Sequence, residues 1–217
     1  MLLTFLCQDC QITSEILRAG VNNSSYHFAT GYFNLTKTFM KNILQKRSSQ
    51  FNILMAHPEA NGFLGAKFPA GGIPHAYTLI AYNFWGQTQV HDASRVRMAE
   101  YRRRGWTFHG KGLWYSETSR PFLTMVGSPN FGYRSEKRDL ESQIVILTRS
   151  DDLQQRLGEE QERLYREAEQ VDSTTWRGED RRIPIWVRMV VAFARKWFSA
   201  VSEIQYCNMF LLMFLSW

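Results

Sequence analysis

Apolar positions along this chain recur with two periods, and the two alternate. "SYHFAT" (25–30) and "FNILMA" (51–56) are short runs with the aromatic and aliphatic content of strands, the second apolar enough to be buried on both faces. Between them, "LTKTFMKNILQKR" sets Leu35, Phe39 and Ile43 four residues apart, which is a helical stripe. "SEILRAG" predicts a short helix ending at Gly20, a residue suited to the left-handed position just past a helix. The spacing predicts a further helix through 75–85 and another over "ASRVRMAEYRRR" (93–104), stopped by Gly105. Three strands follow: "WTFHGKGLWY" (106–115), "PFLTMVG" (121–127) and "LESQIVILT" (140–148). "DDLQQRLGEEQERLYREAEQ" (151–170) then reads as a charged helix whose first-turn acids suit the helix dipole. The expected class is α/β.

After residue 180 the chemistry changes. "RRIPIWVRMVVAFARKWF" (181–198) carries five basic residues and no acid, and its aromatic and aliphatic positions fill most of a helical circumference. Arg188, Arg195 and Lys196 gather on one narrow side, the profile of a helix lying at a membrane surface or, equally, of an amphipathic helix packed on the body or on a partner. The chain therefore divides into a body, 1–180, and a basic, aromatic tail, 181–217. No stretch reaches about 18 uninterrupted apolar residues, so a membrane span is not expected. The N-terminus "MLLTFLCQDC" lacks the basic flank of a signal peptide and the arginines of a transit peptide.

Charge sharpens this picture. The formal net charge of the 217-residue chain is +6, but residues 151–180 hold ten acids against four arginines, leaving the remainder at +12. A body that basic suits an anionic partner: nucleic acid, phospholipid head groups or a phosphorylated small substrate. Three cysteines, Cys7, Cys10 and Cys207, form no disulfide framework; Cys7 and Cys10 lack the second Cys/His pair of a zinc site, so a reducing compartment is expected.

The candidate chemistry sits in the three later strands. Extended backbone would put His109 and Lys111 on one face, with Gly110 and Gly112 leaving the region uncrowded. "VGSPNFG" offers Ser128 and Asn130 at the same spacing after the next strand, and Glu141 heads the third. A phosphodiester under attack needs these groups. His109 suits nucleophile or general acid, Lys111 the cation for the non-bridging oxygens, and Ser128 and Asn130 the neutral donors. A carboxylate such as Glu141 would fix a histidine tautomer. Nothing here requires a metal or a cofactor, and no acidic cluster suited to a metal is visible. Tyr32 and Asn34, after the first strand, are candidate rim residues, although Asn34 equally suits a helix cap. "PEANGFLGAKFPAGGIP" (58–74) is a Gly/Pro-rich loop of functional length, but it lacks the Gly-Lys-Ser/Thr ending of a nucleotide loop. His57 and His75, which flank it, read as structural or rim residues. Arg102, Arg103 and Arg104 read most simply as a solvated helix end.

His109-x-Lys111, Gly127-Ser128-x-Asn130 and the later Glu141 resemble the signature half-site of the phospholipase D superfamily. The irregular stretches "ATGYFNLT" (29–36), "NILMAHPEANGFLGAKFPAGGIPHAY" (52–77), "YRRRGWTFHGKGLW" (101–114) and "GSPNFGYRSEKRDLESQI" (127–144) narrow the likeness. They resemble the eukaryotic CDP-diacylglycerol–glycerol-3-phosphate 3-phosphatidyltransferase family over about residues 10–198. The resemblance implies a phospholipase D-like mixed sheet flanked by helices, one half of a pseudo-symmetric two-domain fold. It implies transfer of the phosphatidyl group of CDP-diacylglycerol to glycerol 3-phosphate through a phosphohistidine, without cofactor, at the surface of the inner mitochondrial membrane. Nucleic acid is not the partner it implies. Two departures stand out. Ser116 occupies the Asp position of the full His-x-Lys-x4-Asp motif, and a second His-x-Lys half-site is missing: His27, His57, His75 and His91 have no Lys two residues on. The active site would need a missing N-terminal half or a second copy of the chain. Otherwise the chain is an inactive half that binds membrane or partner, or another phospholipase D-type phosphodiesterase or nuclease.

Overall fold

A computed structural model describes residues 8–91, 94–137 and 139–200. Cys7, Cys207 and residues 201–217 of the expected tail lie outside them. The frame is a seven-stranded sheet built from β1 (Ser24–Thr30), β2 (Ser49–Ala56), β3 (Val96–Tyr101), β4 (Lys111–Ser116), β5 (Leu123–Gly127), β6 (Gln143–Leu147) and β7 (Ala168–Gln170). Its spatial order is β6-β5-β4-β1-β2-β3-β7. β1, β2 and β3 run parallel, whereas β4, β5 and β6 form an antiparallel meander that joins the parallel group along β1. Among the described residues six α-helices, with a few short 3-10 turns, pack around the sheet: α1 (Gln8–Ala19), α2 (Lys37–Gln45), α3 (Ile73–His91), the short α4 (Tyr133–Lys137), α5 (Asp151–Tyr165) and α6 (Ile185–Ala200). This is the mixed α/β architecture expected.

The alternation of side chains sorts the core into two layers. Tyr26 and Phe28 of β1, Phe51, Ile53 and Met55 of β2, and Val96 and Met98 of β3 pack with Leu17, Phe39, Ile43 and Phe84 from α1, α2 and α3. The opposite face carries smaller residues, Ala29, Leu54 and Ala99, beneath Leu157 of α5. Strands covered on both faces read as continuous apolar runs, which is why "FNILMA" was so legible. Tyr165 ends α5 with its hydroxyl donating to the carbonyls of Phe28 (3.0 Å) and Asn52 (2.8 Å), pinning that helix across β1 and β2. The Thr36 hydroxyl caps α2 by accepting from the Phe39 N–H at 3.3 Å.

Several expectations need correction. "ASRVRMAEYRRR" is not a helix: its centre is β3, paired in parallel with β2 from Phe51↔Val96 to Ala56↔Tyr101. Arg, Met, Ala and Glu favour helix intrinsically, but five of the six β3 residues, Val96 and Met98 to Tyr101, are buried, and burial between two strands outweighs propensity. The arginines 102–104 consequently follow a strand, not a helix end. Arg102 pairs with Glu59 at 3.1 Å, and Arg103 lies over the Trp106 ring at 4.1 Å. The charged helix ends at Tyr165, and "AEQ" crosses to pair with β3 as β7. The strand expected from Trp106 begins only at Lys111, so His109 precedes it and strand alternation does not place it beside Lys111. Helices α1 and α3 are also longer than their spacing suggested.

The segment between α5 and α6 is clamped to the sheet. Arg181 is buried and forms a two-pronged pair with Glu100 of β3, one contact at 2.6 Å. Its Nε also meets Asp180 at 3.0 Å, and Asp180 in turn meets the buried His57 at 3.3 Å. His57 is thus a structural anchor: burial, then the neighbouring Arg181 and Arg102 charges, hold its pKa below the usual histidine value. Burial raises the Glu100 pKa, a change the Arg181 pairing opposes.

Candidate active site

Register alone aligns most of the candidate residues. Thr30 is opposite Lys111 across β1–β4, Gly112 opposite Val126 across β4–β5, and Gly127 opposite Gln143 across β5–β6. Lys111, Ser128 and Glu141 therefore fall in a row across one end of the sheet, each at or just beyond a strand terminus. Loops leave the sheet here, so functional side chains can be held by rigid elements and still meet solvent.

His109 is aimed by its neighbours. Phe108 is buried and stacks on Tyr101 with centroids 4.7 Å apart, while its N–H donates to the Ala60 carbonyl at 2.9 Å. The next residue, His109, is exposed and meets the Tyr32 ring edge-on at 5.1 Å. Gly31 makes this approach possible: a Cβ there would lie 2.9 Å from the His109 Cα and 3.3 Å from its Cδ2. Lys111 curls back so that its Nζ donates to the His109 carbonyl at 3.0 Å. Partial burial, then the Lys111 charge, lowers the His109 pKa, favouring the neutral imidazole. Burial lowers the Lys111 pKa as well, and Glu141 opposes that change. The Glu141 carboxylate thus acts on Lys111; no hydrogen bond links it to His109 among the described residues.

The donors are held on the next turn. Gly127 is required there, since a Cβ would come 2.7 Å from the Gln143 Cα. Ser128 continues the β5–β6 pairing: its N–H donates to the Ser142 carbonyl at 3.0 Å, and its hydroxyl accepts from the Ser142 N–H at 3.1 Å. Asn130 is fixed from three sides. Its carbonyl accepts from the Thr30 hydroxyl at 3.1 Å, its N–H donates to Ser135 Oγ at 3.1 Å, and its Oδ1 accepts from the Tyr32 N–H at 3.3 Å. The oxygen is occupied, so the side-chain amide presents its NH2, as a donor to phosphate oxygens must.

Tyr32, Asn34 and Asn130 line one cleft together with Phe63, Tyr77, Arg134, Ser135 and Asp139. Tyr32 stacks on Tyr77 at 5.4 Å and touches Phe63 at 5.7 Å, and burial raises its phenol pKa. Arg134 pairs with Asp139 at 3.0 Å on the far wall. The structure thus brings Tyr32, His109 and Lys111 into one cluster, joins Asn130 to it through Tyr32, and leaves Ser128 and Glu141 along the same sheet end. Sequence reasoning missed Thr30, Gly31, Phe63 and Tyr77. "ATGYF" contained the signal for two of them, a glycine flanking an aromatic at a strand end. The positioning of loop residue Phe63 over Tyr32 had no local signal.

No family model matches the chain. It is 44% identical over 193 residues to the "CDP-diacylglycerol--glycerol-3-phosphate 3-phosphatidyltransferase, mitochondrial" of Gallus gallus, covering 88% of this chain and 34% of that one. The protein of the same name from Homo sapiens is 45% identical over 190 residues, covering 86% and 34%. The chain spans about a third of the length of the curated relatives it matches. Among solved structures, phosphatidylserine synthase of Haemophilus influenzae superposes with a TM-score of 0.72 at 20% identity, over 89% of this chain and 44% of that one. The phospholipase D family member Nuc of Salmonella typhimurium superposes with a TM-score of 0.50 at 15% identity, over 75% and 90%. These two likenesses establish the fold, and the first places it over less than half of a longer chain.

Proposed function

From the homology of this chain to one third of the CDP-diacylglycerol–glycerol-3-phosphate 3-phosphatidyltransferases, we propose that it supplies one catalytic half-site of that reaction. The phosphatidyl group of CDP-diacylglycerol passes to glycerol 3-phosphate, giving phosphatidylglycerophosphate and CMP. The observation that carries the reading is identity of 44–46% to enzymes of that name along nearly the whole of this chain. In the first step a histidine nitrogen attacks the phosphatidyl phosphorus, the bond to the CMP oxygen breaks, and an acid protonates the leaving CMP. In the second, the 1-hydroxyl of glycerol 3-phosphate attacks the phosphohistidine, gives up its proton to the base and frees the histidine. His109 supplies one of the two histidines. Lys111 and the Asn130 NH2 hold the non-bridging oxygens, Ser128 adds its hydroxyl, and the cleft under Tyr32 and Asn34 takes non-reacting parts of the substrates. The Glu141 carboxylate, not engaged by His109, is left to orient the histidine of the second half-site.

That second half-site comes from another chain segment or another copy of this chain. Residues 1–180 form the catalytic half-domain, and 181–217 the segment nearest the membrane. The relatives' names support a mitochondrial location, and we assign the chain to the inner-membrane surface, where its lipid donor would be met. Among the described residues no helix is long and apolar enough to cross a membrane. Incubation of the purified chain, alone and with a second half-site, with CDP-diacylglycerol and labelled glycerol 3-phosphate tests the reading. Labelled phosphatidylglycerophosphate, lost in His109→Ala, is expected. Cleavage of DNA without any such conversion would overturn it.

A further inference from the structure

Two segments far apart in sequence expose large apolar side chains beside each other. The loop after β2 leaves Leu64 56% and Phe68 79% exposed, and α6 leaves Ile185 75% and Met189 61% exposed. Trp186 joins them. Its ring meets Phe68 edge-on at 5.3 Å and lies so close over Gly72 that a Cβ there would overlap the indole. On the opposite side of α6, Val187 is buried, so the helix is seated by one face and presents another. Both segments are basic in sequence. Residues 60–91 and 183–200 contain no Asp or Glu, while Lys67 and Arg188 are exposed. Apolar side chains flanked by exposed cations match an anionic lipid surface, where rings and aliphatic chains enter the interface and the cations meet phosphates.

We propose that the 61–69 loop and the first half of α6 form one docking platform for the surface of an anionic phospholipid bilayer, entered by Phe68, Ile185 and Met189. The platform deepens the reading above and rests on it for its purpose, since the phosphatidyl donor is a membrane lipid. The same loop carries Phe63, which touches Tyr32, which touches His109. Docking therefore sets the rim of the half-site at the lipid surface.

Flotation of the purified chain with phosphatidylcholine vesicles, and with vesicles that also contain phosphatidylglycerol, tests this without turnover. Binding to the mixed vesicles is expected to exceed binding to phosphatidylcholine alone by at least about tenfold and to weaken with salt. Phe68→Ser combined with Met189→Ser should reduce it by at least about tenfold, as loss of two inserted apolar groups requires. Lys67→Glu with Arg188→Glu should abolish the preference for anionic lipid. His109→Ala should bind as the parent does. Thermal melting of each variant verifies that these exposed positions leave the fold intact. Equal binding by the double serine variant, or absence of binding to mixed vesicles, overturns the proposal. So does a self-association, measured by sedimentation, that the serine variant abolishes, because the patch would then be covered by a second copy. A chain that floats but transfers nothing even when supplied with a second half-site keeps the platform and loses the enzymatic reading. Transfer from detergent-dispersed donor without vesicle binding does the reverse.

Discussion

The cluster around His109 is held by backbone proximity as much as by side-chain chemistry. Gly31 shows this most clearly. Any side chain there would press on the His109 Cα, so Gly31→Ala should displace the imidazole from Tyr32 while barely altering the sheet. A transfer rate at least about tenfold lower with little change in melting temperature is the expected pair of results; a Gly31→Ala variant with parental activity would remove the positioning role. Asn130→Ala removes the amide that the Tyr32 N–H orients, and a fall of about 100-fold in kcat is expected. At His109 the pKa is depressed, so the neutral nucleophile or base persists at lower pH than in a free imidazole. The acid limb of the rate profile should therefore fall below pH 6.5.

His27 offers a separate test, of stability. It is half-buried against Tyr165, its buried Nδ1 has no partner, and burial lowers its pKa to about 4. The folded value lies below the unfolded one, so the unfolded chain binds the extra proton between pH 6.5 and about 4. Stability should fall by about 3 kcal/mol as pH drops through that window. Urea unfolding at a series of pH values measures it, and His27→Leu should flatten that limb.

At the scale of elements, the buried Arg181–Glu100 pair decides how the segment before α6 is held. Removing one partner leaves the other as an uncompensated charge, so Arg181→Met should cost about 3–5 kcal/mol. Arg181→Met combined with Glu100→Leu should recover most of that loss, because well-packed apolar side chains can replace a buried pair. Chemical denaturation of the three proteins checks both. This pair also marks where the sequence was hardest to read. An arginine beside another arginine at the head of a basic tail resembles a surface residue, and its partner lies 81 positions earlier in a strand mistaken for helix. By contrast, β1, β2 and α2 were legible because their apolar periods are produced by the layers they face. β3 was not, since Arg97 and Glu100 break its pattern and its identity depends on β2 alongside it.

For the whole molecule, the candidate residues His109, Lys111, Ser128, Asn130 and Glu141 were legible because phosphate chemistry constrains residue type and spacing together. Their geometry was not. The motif does not show that Lys111 folds back onto His109, that Ser128 is spent partly on Ser142, or that a loop from after β2 roofs Tyr32. A half-site completed by a second copy also has a signature at this scale: specific activity should rise with chain concentration, and His109→Ala chains mixed with parent chains should depress it.

The line where the parallel strands meet the meander has a kinetic consequence. β4 and β5 are joined by a short turn, and β5 and β6 are also close in sequence. Pairing β1 with β4 closes a loop of some eighty residues, as Thr30↔Lys111 shows. Closure entropy and contact order make the short-range hairpins the early events of folding and this seam a late one. Tyr32 stands on one side of the seam, and His109 and Lys111 on the other. During refolding, the chain should regain most of its secondary structure before imidazole and phenol ever meet, so competence for chemistry is the last property it acquires.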